Sequence, residues 1–146
     1  PGAIALAAGA TGPAAWLPGL MALTAGAVLA TRAGGFAVGL LMAPWGMALA
    51  ARPDRPPGLA EGGRMIGLLE RGLIFVMMLT GLAGGIGFLI AAKSVLRFGT
   101  VGDDRAMSEY VIIGTLASFG WAIAVSAGTL WLLAALPALG IPDLSP

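Results

Sequence analysis

Four long stretches of the chain contain no charged residue, and they decide what this sequence can fold into. They are residues 1–31, 33–51, 72–92 and 110–142. A helix needs about 20 apolar residues to cross roughly 30 Å of hydrocarbon, and three of the four stretches are longer than that. Only 10% of the residues are charged, whereas soluble domains carry about 25%. The sequence therefore predicts a polytopic transmembrane helical bundle of the all-α class.

Two residue types that carry much of protein chemistry are absent from the sequence. There is no cysteine and no histidine, which removes disulfides, thiolate ligands and the commonest general base. We therefore expect no metal site and no cofactor. The 8 basic and 7 acidic residues give a net charge of +1 and are scattered along the chain, so we also expect no nucleic-acid partner.

Glycine, proline and charged residues divide the apolar stretches into five predicted membrane segments. The sequence Thr-Arg-Ala-Gly-Gly at 31–35 is typical of a tight turn and separates the first two segments. The proline-rich connection at 52–58 separates the second segment from the third. All five segments belong to one transmembrane domain, 1–146, and they are predicted at 14–31, 35–51, 65–81, 85–98 and 109–136.

The stretch 65–98 has two interpretations, and the choice between them sets the topology. As one helix, it crosses the membrane once and leaves three basic residues on each side. As a hairpin, two short helices are joined by a glycine turn at 81–85, and six basic residues lie on one side with Arg32 alone on the other. We favour the hairpin, because four glycines within 81–87 weaken a continuous helix. It places the N-terminus and both polar loops in the cytoplasm and the C-terminal tail outside.

Charged residues near the ends of the predicted segments form the main candidate site. In the hairpin, residues whose numbers add to about 166 lie level with each other, which brings Glu70 within one turn of Lys93 and Arg97. Arg71 is next in sequence, and Glu109 opens the last segment on the same side. An unpaired charge at the centre of a membrane helix costs about 2.5–3.5 kcal/mol, so we expect these five residues to pair. The cluster either fixes the register of the helices or marks a transport path.

Small residues at four-residue spacing indicate close helix packing. Two G-x-x-x-G pairs occur, formed by Gly35 with Gly39 and by Gly81 with Gly85. The last segment carries a longer stripe of small residues, Gly114, Ser118, Ala122 and Ser126. Helices in membranes associate through close backbone approach, so we assign this stripe to packing within the chain, with a subunit contact and a pore lining as alternatives.

Three sequence blocks resemble the C-terminal half of an uncharacterised family of bacterial multi-pass membrane proteins. They lie at 63–71, 86–98 and 108–119 and read GRMIGLLER, IGFLIAAKSVLRF and SEYVIIGTLASF. The resemblance implies a bacterial inner-membrane location. It also implies that Ser94 and Tyr110 belong to one recurrent constellation with the charged cluster. It implies no activity.

The function predicted from the sequence is that of an integral inner-membrane protein that acts through helix packing. Its expected partners are the lipid bilayer and either further copies of the chain, in a homo-oligomer, or the other subunits of a membrane complex. A small channel or transporter that uses the charged cluster is the first alternative. A membrane enzyme acting on lipid headgroups is the second, and it would need Asp103 or Asp104. We predict no catalytic residue, because the sequence contains no G-x-S-x-G, phosphate-loop or zinc motif.

Overall fold

The computed structural model describes residues 16–51, 61–98 and 105–136. Five α-helical segments follow one another along the chain: α1 (Leu17–Val28), α2 (Gly34–Ala50), α3 (Gly62–Leu79), α4 (Gly84–Phe98) and α5 (Arg105–Ala135). A π-helical turn, Leu29–Ala33, joins α1 to α2 without a break, and we call these three pieces the long N-terminal helix. All regular structure in the described ranges is helical, which confirms the all-α class.

The tight turn predicted at 31–35 is wrong, so the first two predicted segments are one helix. The Gly34 N–H donates to the carbonyl of Leu29, five residues back, and this bond defines the π turn. Gly34 itself has φ −59° and ψ −37°, which are helical angles. Gly34 and Gly35 therefore do not form a turn. Their lack of a side chain leaves room for side chains of α3 and α5 that lie against them.

The predicted helical hairpin is present, formed by α3 and α4. Gly81 has φ +75°, a left-handed conformation that only glycine adopts without strain. The Leu82 N–H donates to the Met77 carbonyl at 2.8 Å and the Gly81 N–H to the Met78 carbonyl at 3.4 Å. These two bonds form a Schellman motif, which ends α3 and reverses the chain. Across the turn, Met77 packs against Gly85 at the start of α4.

Helix α5 lies at the centre of the bundle, antiparallel to the long N-terminal helix. Gly26 of α1 faces Thr129, and Met42 of α2 faces Gly114. The first residues of α1 and the last residues of α5 therefore lie at one end of the bundle. Because four helices replace the predicted five segments, the start of α1 lies at the opposite end from the end of α2 and the starts of α3 and α5. This corrects the topology expected from the sequence, in which the start of the first segment and the end of the second lie on the same side.

The interior of the bundle contains both a small apolar core and several polar side chains. Ile74, Ile86, Phe119 and Ala122 form the core where α3, α4 and α5 meet. Two helices, Leu17–Leu49 and Arg105–Ala135, are long and apolar enough to cross a membrane. Their 33 and 31 residues correspond to about 50 and 46 Å at 1.5 Å per residue. The described part of the chain thus offers two helices of spanning length, with the shorter hairpin packed against them.

Candidate functional site: a charged cleft at Arg71

One ion pair joins the two helices of the hairpin. Lys93 Nζ on α4 donates to Glu70 Oε2 on α3 at 2.6 Å, and the two side chains are only 22% and 12% exposed. The same ammonium lies 5.5 Å from the centroid of the Phe119 ring on α5, within the range of a cation–π contact. The structure therefore brings together two members of the predicted cluster, and it ties them to the central helix.

The Arg71 side chain points away from that ion pair, because successive residues on a helix diverge by about 100°. It is 5% exposed and lies between α3, the π turn and α5. Its Nε donates to the Thr31 carbonyl at 3.1 Å, and its Nη1 donates to Ser118 Oγ at 3.0 Å. Both acceptors are uncharged. Among the residues that the structure describes, no carboxylate forms an ion pair with this guanidinium.

The π turn receives hydrogen bonds from two other helices. Trp121 Nε1 on α5 donates to the Leu29 carbonyl at 2.9 Å, and Arg71 reaches the Thr31 carbonyl from α3. A π turn widens the helix locally and turns carbonyls out of the regular hydrogen-bond ladder. Side-chain donors from both neighbouring helices therefore fix the position where the long N-terminal helix is irregular.

Three glycines make the space that the Arg71 side chain occupies. A Cβ atom added to Gly34 would lie 2.9 Å from Arg71 Cδ and 2.6 Å from Trp121 Cδ1. An added Cβ at Gly35 would lie 3.0 Å from Nη2, and one at Gly67 would lie 3.0 Å from Nη1. Gly67 precedes Arg71 by one helical turn, so the absent side chain leaves room on the same face of α3. Backbone on two helices thus approaches the guanidinium closely.

A cleft of about 1200 Å³ opens beside this guanidinium, between α2, α3, α4 and α5. Its lining is mostly apolar, and its charged members are four basic residues and one acidic residue: Arg32, Arg64, Arg71, Lys93 and Glu70. Arg64 pairs with the exposed Glu61 at 3.1 Å, and Lys93 pairs with Glu70. Within the described ranges, Arg32 and Arg71 have no carboxylate partner. The cleft therefore has an excess of positive charge.

The prediction that Glu109 joins the cluster is wrong. Glu109 Oε1 accepts from Arg105 Nε at 2.9 Å, one turn away on the same helix, and both side chains are largely exposed. It precedes Ser118 by nine residues, which is about 13 Å along α5, so it lies far from Arg71. The error arises because packing between the helices sets the depth of α5, which brings Ser118 and Phe119 rather than Glu109 beside the charged residues of α3 and α4.

The other predicted members contribute little to the cleft chemistry. Ser94 Oγ donates to the Ile90 carbonyl of its own helix at 2.9 Å. The Tyr110 side chain lines the cleft and lies against Gly46 of α2. The side chain of Arg97 and the whole of Asp103 and Asp104 lie outside the residues that the structure describes.

The predicted packing residues divide into two groups. On α5, Ser118, Ala122 and Ser126 are 5%, 0% and 0% exposed, and Gly114 faces Met42, so the stripe packs within the chain. Gly35 and Gly85 also face side chains of neighbouring helices. Gly39 and Gly81 face no neighbour within the described part of the chain, because an added Cβ at either would have no atom within 4 Å.

The residues that hold Arg71 were not predicted from the sequence. Thr31 and Gly34 were assigned to a turn, and Gly67 and Trp121 were given no part in the site. One feature of the sequence could have indicated them. Gly67 lies one helical turn before Arg71 within an apolar helix, which leaves space beside the arginine. Among the described residues, no group of three histidine, cysteine or acidic side chains could hold a metal ion.

Comparison of the chain with protein-family models, curated proteins and solved structures gives no match.

Proposed function

We propose that this chain is an integral membrane protein that acts through helix packing, as a homo-oligomer or as an accessory subunit of a membrane complex. The supporting observation is that polar side chains are buried while many large apolar side chains are exposed. Four polar residues are buried: Arg71, Ser118, Ser126 and Thr129. Large apolar side chains, in contrast, cover the outside of every helix. Lipid is the solvent that favours this arrangement.

The exposed apolar side chains are too large and too numerous for a protein that folds in water. Phe36 is 79% exposed, Phe88 77% and Trp131 75%. Burying one such side chain contributes about 1.5–3 kcal/mol, so leaving many of them in water would cost more than a fold of this size can supply. A bilayer covers them without requiring a larger protein core.

The charges favour one orientation across the membrane. Four basic residues of the described helices lie toward the end of the bundle where α3 and α5 begin and α4 ends: Arg64, Lys93, Arg97 and Arg105. The start of α1, the hairpin turn and the end of α5 lie at the other end. By the positive-inside rule, the basic end is cytoplasmic. The bacterial inner membrane that the sequence resemblance implies is part of this proposal.

A second stripe of small residues on α5 supports assembly with other helices. Gly120, Ala124 and Gly128 are exposed at four-residue spacing, opposite the stripe that packs inside the bundle. An added Cβ at either glycine would meet nothing within 4 Å. Small residues let membrane helices approach closely, so this face suits a helix of a second subunit.

Purification in a mild detergent tests the assembly. Light scattering should give a protein mass of more than one chain, or the chain should carry partners in fixed ratio. Gly128→Leu should lower that mass, whereas the matched control Gly87→Leu, at an exposed glycine of α4 that also has open space, should not. A single chain without partners in both variants and in the wild type would disprove the proposed assembly.

A small channel or transporter is the second candidate, because five charged residues line one cleft: Arg32, Arg64, Glu70, Arg71 and Lys93. In proteoliposomes that contain the purified chain alone, a conduit should give ion flux that Glu70→Gln changes in rate. The absence of flux across a broad ion panel would exclude it.

A further inference from the structure

We propose that the cleft beside Arg71 binds a phosphate group, carried either by a phospholipid or by the free anion. The phospholipid source rests on the proposed membrane location, whereas the free anion does not. The geometry of the guanidinium, the charge of the cleft and the shape of its walls each support the site.

The guanidinium has hydrogen-bond capacity that the protein does not use. It carries five N–H donors, of which the described residues accept from only two, one on Nε and one on Nη1. Every fully buried side-chain nitrogen or oxygen in the described ranges has a hydrogen-bond partner. Since Nη2 has none, this nitrogen is not sealed off. It reaches the cleft that Arg71 lines.

No carboxylate of the described residues forms an ion pair with Arg71. The nearest acidic side chain along α3, that of Glu70, is engaged by Lys93 at 2.6 Å. Arg32 lines the same cleft and has no acceptor among the described residues. Because Arg71 is only 5% exposed and has no ion-pair partner among the described residues, an anion in the cleft would stabilise its charge.

The protein fixes the plane of the guanidinium and leaves Nη2 available to an oxyanion. The backbones of Gly35 on α2 and Gly67 on α3 lie against Nη2 and Nη1. The Thr31 carbonyl accepts from Nε and the Ser118 hydroxyl accepts from Nη1, so Nη2 keeps both of its N–H donors. A planar guanidinium held in this way presents directed donors to phosphate oxygens, whereas a lysine ammonium is a point charge.

The walls of the cleft favour a phosphate that carries an apolar tail. Phe36, Leu40, Ile66 and Leu89 line it beside the charged residues. Its volume of about 1200 Å³ far exceeds the space of one inorganic anion. Phe36 and Leu40 are 79% and 74% exposed, so the cleft is open to the lipid-facing side of the long N-terminal helix. An acyl chain can enter from there while the phosphate reaches Arg71.

Native mass spectrometry of the detergent-purified chain tests this site with three probes. Phosphatidylglycerol supplies the phosphate on a lipid, diacylglycerol supplies the tails without it, and inorganic phosphate supplies the anion alone. We expect phosphatidylglycerol to bind and diacylglycerol not to bind. Competition by inorganic phosphate would identify the free anion as a ligand of the same site, and lack of competition would assign the site to the lipid. Failure of both phosphate probes to bind would overturn the proposal.

Two variants and a control separate the site from general surface adsorption. Arg71→Lys keeps the charge and loses the fork, so phosphate affinity should fall about tenfold, the loss expected for one charge-assisted hydrogen bond. Gly39→Leu leaves Arg71 untouched and fills open space in the cleft, so it should reduce binding as well. Gly87→Leu, outside the cleft, should bind like the wild type. Equal binding by Gly39→Leu and Gly87→Leu would refute the site.

The same spectra keep this proposal separate from the proposed assembly. The oligomeric mass is read beside the bound mass, so loss of phosphate binding in a protein that remains oligomeric counts against the site alone. Loss of the oligomer with phosphate still bound counts against the assembly alone.

Discussion

Replacing Gly34 with alanine should destabilise the bundle, although alanine is the better helix former. The added Cβ would lie 2.6 Å from Trp121 Cδ1, 2.8 Å from Trp121 Nε1 and 2.9 Å from Arg71 Cδ. All three distances are shorter than Cβ contacts in real proteins, so both side chains must move. Each of them donates a hydrogen bond to a carbonyl of the π turn, at 2.9 Å from Trp121 and 3.1 Å from Arg71.

The expected size of the effect follows from three contributions. Overpacking one methyl group costs about 1–3 kcal/mol. Weakening one hydrogen bond to the π turn costs about 0.5–1.5 kcal/mol. The gain in helix propensity from glycine to alanine returns about 0.5–1 kcal/mol. The free energy of unfolding of Gly34→Ala should therefore be lower than that of the wild type, by about 0.5–4 kcal/mol.

Gly39→Ala is the matched control, because it lies on the same helix α2 and an added Cβ there meets nothing within 4 Å. It should be neutral or stabilise the fold by about 0.5–1 kcal/mol through propensity alone. Unfolding in detergent micelles, followed by helical circular dichroism, measures both variants. If Gly34→Ala proves as stable as Gly39→Ala, then the contacts of Gly34 with Trp121 and Arg71 do not constrain the helix.

Three further outcomes test other parts of the fold. A double-mutant cycle on Glu70→Gln and Lys93→Met should give a coupling energy of about 1–2 kcal/mol in unfolding experiments. This value lies between those typical of exposed and of buried ion pairs. A coupling energy of zero would contradict the ion pair. Gly81→Val should cost about 1–2 kcal/mol, because a branched side chain is strained at φ +75°; Gly81→Asn should cost less. Since the natural chain has no cysteine, thiols introduced as Ala51→Cys and Leu82→Cys can be labelled selectively in vesicles. They should react from opposite sides of the membrane, and reaction from the same side would contradict the hairpin topology.

The glycine turn and the ion pair were predictable because both depend on local geometry. Four glycines in 81–87 interrupt an apolar stretch, and the structure reverses there with Gly81 in a left-handed conformation. Once the chain reverses, antiparallel numbering places Glu70 opposite Lys93. The structure pairs residues whose numbers add to 163, close to the predicted sum.

The first half of the chain was mispredicted because glycine has two uses that look alike in sequence. Gly34 and Gly35 follow a charged residue, which is the pattern of a turn. In the structure these glycines leave space for the side chains of Arg71 and Trp121. Both residues are distant in the sequence, so no local sequence pattern indicates this contact. The predicted position of Glu109 was wrong for a related reason. Packing between the helices sets the depth of α5 beside α3, and this packing also cannot be read from the local sequence.

The π turn determines where the long N-terminal helix can lose or gain a residue. Leu29–Ala33 adds about one residue to the helical count, and each residue corresponds to about 100° of rotation. Removing one residue there would restore regular winding and leave the two halves of the helix in nearly the same rotational phase, because the π turn holds one residue more than an α-helical turn. Gly26 and Met42, which lie on either side of the turn, would then still both face α5. This helix should therefore accept a single-residue deletion inside the π turn, whereas a single-residue deletion elsewhere between Gly26 and Met42 should rotate one half against the other and disrupt packing on α5.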